Sequence, residues 1–90
     1  MRETKYAKEL ASASIFWGAS EGRIERLFVK EFGHEEIRFS WWNNGRLIPR
    51  PLDLPEEDLL ALIKEAIKNG IFTRTFLKEL KNRNSVTLKK

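Results

Sequence analysis

The chain has 90 residues, a net charge of +4, 41% hydrophobic residues and 11% aromatic residues, enough for one small folded domain and too apolar for a disordered chain. It contains no cysteine and a single histidine, which excludes a disulfide framework, a cysteine nucleophile and any two-histidine metal centre. No apolar run reaches the length of a signal peptide or a membrane span, and a disulfide-free chain of this size suits the cytoplasm.

Thr4 to Trp17 reads as a helix, because Tyr6, Leu10, Ala13 and Trp17 recur at helical spacing between a capping Thr4 and a terminating Gly18. Its Ala11-Ser12-Ala13-Ser14 run has little bulk, so another element can approach closely, within the chain or from a second copy. Ser20 to Phe32 reads as a second helix on Ile24, Leu27, Phe28 and Phe32, with Gly33 as its stop. Leu27-Phe28-Val29 is the alternative there: a short strand that would complete a three-stranded meander.

Asn44-Gly45 is a preferred pair for a two-residue hairpin turn. The turn sets Trp42 opposite Leu47, Trp41 opposite Ile48 and Phe39 opposite Arg50, with strands over 36–42 and 46–54. Pro49 and Pro51 then fall where no ladder donor is needed and block that edge. Ile37, Phe39, Trp41, Ile48 and Leu52 form the expected core face. Arg38, Trp42 and Leu47 occupy the other face, which is either covered by helices or open for binding.

Asp53-Leu54-Pro55-Glu56 has capping-box spacing, and Leu59, Leu60, Ile63, Ala66 and Ile67 make the apolar stripe of the helix that follows. Asn69-Gly70 closes that helix, with Gly70 in the left-handed conformation. Thr73 caps a last helix, Arg74 to Lys81, that buries Phe76, Leu77 and Leu80. The expected fold is therefore α+β in a single small domain over residues 1–81, in the order helix, helix (or strand), β-hairpin, helix, helix. Residues 82–90 form a basic tail expected to fray.

Catalysis finds little support. His34 lies in a predicted turn, and the adjacent Glu35 and Glu36 would point to opposite faces of a strand. Gly18, Gly22 and Gly33 match no phosphate-loop spacing. The reading is non-enzymatic, with no cofactor, no metal and no membrane contact, and the oligomeric state stays open.

Charge is the stronger signal. Lys64 to Lys90 holds eight Lys/Arg against Glu65 and Glu79, a net +6, which leaves −2 for residues 1–63. Such polarity suits a polyanion. Ala66, Gly70, Ile71, Phe72 and Phe76 resemble the helix–turn–helix pattern of small residue, turn glycine and buried apolar groups. Asn69 and Glu79 depart from it, and an ordinary helical hairpin explains the same glycine. This predicts nucleic-acid binding through Arg74, Thr75, Lys78, Lys81 and Arg83. The alternative is a protein-binding adaptor or inhibitor using Arg38, Trp42, Arg46, Leu47 and Arg50, since Trp and Arg are enriched at binding hot spots.

Overall fold

The computed structural model describes residues 2–82. The chain divides into two units, Met1–Leu59 and Leu60–Lys90. The first is an antiparallel sheet of β1 (Ala7–Trp17), β2 (Ser20–Val29), β3 (His34–Asn43), β4 (Arg46–Leu47) and β5 (Leu52–Leu54). Its order is β1-β2-β3, with β4 and β5 both paired to β3. Two short helices follow, α1 (Glu56–Lys68) and α2 (Arg74–Lys81). Among the described residues, no helix is long and apolar enough to cross a membrane.

This overturns the helix-rich α+β expectation. Both N-terminal segments are strands, ten or eleven residues long, and Leu27–Val29 pairs as part of β2. The helical spacing of Tyr6, Leu10, Ala13 and Trp17 is coincidental: the register shift between Glu9 and Ala11 changes the phase of the strand between Tyr6 and Ala13. On β2, Glu21, Arg23 and Glu25 alternate with Gly22, Ile24 and Arg26, as a pleated strand requires. Gly18-Ala19 is a two-residue turn rather than a helix stop. Gly18 has φ +57 while Ala19 has no positive φ, the pattern of a turn with glycine first.

The second hairpin follows its expected register only near the turn. Asn44 (φ 51) and Gly45 (φ 77) make the mirror-image turn, and Asn43 and Trp42 pair with Arg46 and Leu47. The Ile48 N–H donates to the Trp41 carbonyl at 2.8 Å. Beyond that point Phe39 meets Leu52 instead of Arg50, and Arg38 meets Asp53, a slip of two residues. Pro49 and Pro51 supply no ladder donors, and Arg50 between them takes φ +67, so the expected continuous strand is interrupted over 48–51. Asp53 is consequently a β5 residue and not a helix cap. Its carboxylate receives Arg38 Nε and Nη2, each at 2.8 Å, and those bonds raise the Arg38 guanidinium above its ordinary pKa.

Burial is also largely inverted across the sheet. Of the expected core face Ile37 is buried, but Phe39, Trp41, Ile48 and Leu52 are exposed, while Trp42, Ser40, Leu27 and Glu25 are buried on the face that carries Arg38. The cause is a charged lid. The N-terminal turn brings Arg2 over the Trp42 ring, 4.6 Å from its centroid, and Arg23 lies 4.2 Å from the same ring.

In the second unit, local chemistry prevails. The Gly70 N–H reaches the Ile67 carbonyl at 3.1 Å and the Ile71 N–H reaches the Ala66 carbonyl at 3.0 Å, a Schellman closure with Gly70 at φ +70. Thr73 Oγ1 accepts from the Phe76 N–H at 3.0 Å, which caps α2. Phe72 and Phe76 stack at 4.9 Å. Gly70→Val should cost about 1–3 kcal/mol, because a β-branched residue is strained at positive φ. Thermal unfolding followed by helical circular dichroism would register it, and a wild-type midpoint would contradict the closure.

Candidate functional site

Three surfaces present themselves, each within one unit. The charged face of the sheet is a closed network. Glu25 accepts from Arg2 Nη2 at 3.2 Å, Arg23 Nη1 at 3.4 Å and Ser40 Oγ at 3.1 Å, and Ser40 Oγ accepts from Trp42 Nε1 at 2.9 Å. Arg23 also holds Glu21 at 2.8 Å. That bond, with one from Ser14, keeps the Glu21 carboxyl below the usual carboxylate range. A lowered carboxylate supports the fold at neutral pH, and its contribution fades as pH falls through the lowered value. Glu9 joins the network only as an ion pair, 3.6 Å from Arg2 Nε and 3.7 Å from Arg23 Nη1. With the charges paired among themselves, this face is read as structural.

The opposite face carries an open apolar groove of about 570 Å³ lined by Trp17, Ile24, Phe39, Trp41, Ile48 and Arg50, among others. Its wall is a pair of indoles. Trp17 and Trp41 stack at 5.5 Å with 14° between planes, and each is 54% exposed. Gly22 makes the arrangement possible. A Cβ there would stand 3.0 Å from two atoms of the Trp17 ring, so any other residue would push the indole outward from where it lies on the strand. A glycine inside a strand marks such close approach, a meaning it does not carry in a helix over residues 20–32.

The third surface is the outer side of α2. At about 100° per residue, Arg74, Lys78 and Lys81 fall within about 60° of arc, opposite Phe76 and Leu80. All three are exposed. Among the described residues none of them has an ion pair, and the ion pairs between described residues lie between Arg2 and Glu56.

The residues expected to bind nucleic acid are thus brought together: Arg74, Lys78 and Lys81 on one side of α2, Thr75 exposed at its margin. Arg83 lies outside the described residues. The residues expected to bind protein are not. Trp42 is 7% exposed and Arg38 is occupied by Asp53, which removes the centre of that patch. Leu47 is half-buried, while Arg46 and Arg50 are exposed.

Comparison with protein-family models, with curated proteins and with solved structures gives no match. The functional reading therefore rests on these surfaces.

Proposed function

We propose that the protein is a non-enzymatic, cytoplasmic nucleic-acid-binding protein that holds backbone phosphates with Arg74, Lys78 and Lys81 of α2. One observation carries the reading: these cations share a helix face and have no ion pair among the described residues, while Arg2, Arg23, Arg26 and Arg38 of the first unit are all spent on carboxylates. Phosphates answer such a row because each contact releases a condensed counterion. Thr75, at the edge of the row, adds a hydroxyl donor for a phosphate oxygen.

The test is a fluorescence anisotropy titration against single- and double-stranded DNA and RNA at two salt concentrations. Affinity should fall steeply with salt. Lys78→Ala and Lys81→Ala should each flatten the slope by about one unit. Binding no tighter than that of a lysine-rich peptide, and indifferent to both changes, would refute it.

A second reading has its own support in the groove. Trp17 and Trp41 are half-exposed and the exposed Arg50 stands at the rim, the residue types that dominate protein-binding hot spots. An adaptor or inhibitor would use this side of the hairpin, with Trp41 in the role the sequence suggested for Trp42. A flat salt response would move this reading into first place.

A further inference from the structure

The two edges of the sheet are treated differently. The far edge is interrupted by Pro49 and Pro51, while β1 runs without proline for its whole length. Trp17 and Ser20 flank a two-residue turn, so they form a hydrogen-bonded pair, and the alternation along an antiparallel ladder then turns Ala11, Ala13 and Ile15 toward β2. Ser12, Ser14 and Phe16 point their N–H and C=O groups outward. A register shift between Glu9 and Ala11 reverses the phase, which turns Ala7 and Glu9 outward instead. There the edge is already covered: the Thr4 N–H donates to the Ala7 carbonyl and the Glu9 N–H to the Arg2 carbonyl, both at 2.7 Å. The chain shields the first part of this edge with its own N-terminal turn. From Ala11 to Trp17 no shield exists among the described residues, and this stretch carries no charge. Uncharged, proline-free edges are templates for strand addition.

We infer that β1 pairs with β1 of a second copy, antiparallel across a two-fold axis at Ser14. A second copy is the occupant because the stretch is complementary to itself. With Ser14 opposite Ser14, Ala13 of one copy faces Ile15 of the other, Ser12 faces Phe16, and Ala11 faces Trp17. Every large side chain meets a small one. A register centred between Ser14 and Ile15 also does so, but it would set residues of opposite faces against each other, which the pleat forbids. The backbone phase agrees independently. Ser14 with Ser14, and Ser12 with Phe16, are the residues whose free groups point outward, so each pair exchanges both of its bonds. The ends agree as well: the other copy's strand reaches its Gly18-Ala19 turn where the N-terminal turn of the first begins to occupy the edge. Ile15 and Phe16, 65% and 68% exposed in one copy, gain cover. Two sheets become one, with an apolar groove on each half.

The chain has no cysteine, so a single introduced thiol reports the register. In a hydrogen-bonded pair the two Cα atoms lie about 5.5 Å apart, inside the disulfide range. Ser14→Cys should therefore cross-link into a dimer under mild oxidation. Ser12→Cys, with its two copies about 14 Å apart along the strands, should not. Light scattering of the unmodified protein should give twice 10.6 kDa. Ser14→Pro removes an outward donor that β2 does not use, a position where an edge strand tolerates proline, and it should halve the mass without loss of the sheet's circular dichroism. Ser14→Lys, which sets like charges across the axis, gives the same reading if the proline variant does not fold. A monomeric wild-type protein, equal cross-linking at residues 12 and 14, or folded Ser14 variants that remain dimeric would overturn the inference.

Discussion

Trp42→Ala should destabilise the sheet by about 3–5 kcal/mol, the range for removing a buried large aromatic side chain. Small domains hold only about 5–15 kcal/mol in all, so the variant should unfold at a far lower denaturant concentration. Three losses combine. The buried ring leaves a cavity, Arg2 and Arg23 lose the indole face over which they sit, and Ser40 Oγ loses the Nε1–H it accepts. The neighbouring Trp41→Ala provides the contrast. Trp41 is half-exposed and stacks on Trp17 alone, so its removal should cost much less. Denaturant titration of the two variants decides which face of the sheet is the core. A costlier Trp41 would restore the face that alternation along the hairpin suggests.

That inversion shows where reading from residues reaches its limit. Thr73, Gly70 and Asn44-Gly45 are legible because each acts on backbone groups within a few positions, and the structure places all of them as their chemistry requires. The strands β1 and β2 are not, since their stability lies in pairing with each other and with β3. Over Ser20–Phe32 the helical stripe and the strand alternation both fit the apolar residues. The charged residues discriminate: Glu21, Arg23 and Glu25 at every second position make a face that only a strand presents. Asp53 misleads for a related reason. Its spacing to Glu56 satisfies a capping box, but Arg38 on β3 competes for the carboxylate, and a bidentate charged bond outweighs a cap. Of the candidate site, the row Arg74, Lys78 and Lys81 is readable from helical period alone. The groove is not, because nothing in the order of the chain brings Trp17 beside Trp41 until β1, β2 and β3 are paired.

Glu25→Leu should cost about 3 kcal/mol, the lower end of the range for removing one member of a buried ion pair. Glu25 is fully buried and answers two guanidinium groups and a hydroxyl. Without it, Arg2 and Arg23 repel across the Trp42 ring and Ser40 loses an acceptor. The lower end applies because Arg2 is 40% exposed along its side chain and turns toward water. Glu25→Gln separates charge from shape: the amide fills the same space and still accepts a bond, so a loss nearly as large as that of leucine assigns the effect to the carboxylate's charge. A glutamine variant as stable as the wild type would reduce Glu25 to a hydrogen-bond acceptor. The damage should also be local. Arg2 reaches the sheet through Glu25 and, more loosely at 3.6 Å, through Glu9, and the Arg2 carbonyl holds the Glu9 N–H. Loss of the Glu25 carboxylate therefore loosens the turn at Arg2 and uncovers β1 at Glu9, while Thr4 keeps its hold on Ala7. Hydrogen exchange at the Glu9 amide should then accelerate well beyond that of the β2 amides paired with β3. Uniform acceleration across both would mean that Glu25 supports the whole sheet equally and that the turn is anchored elsewhere.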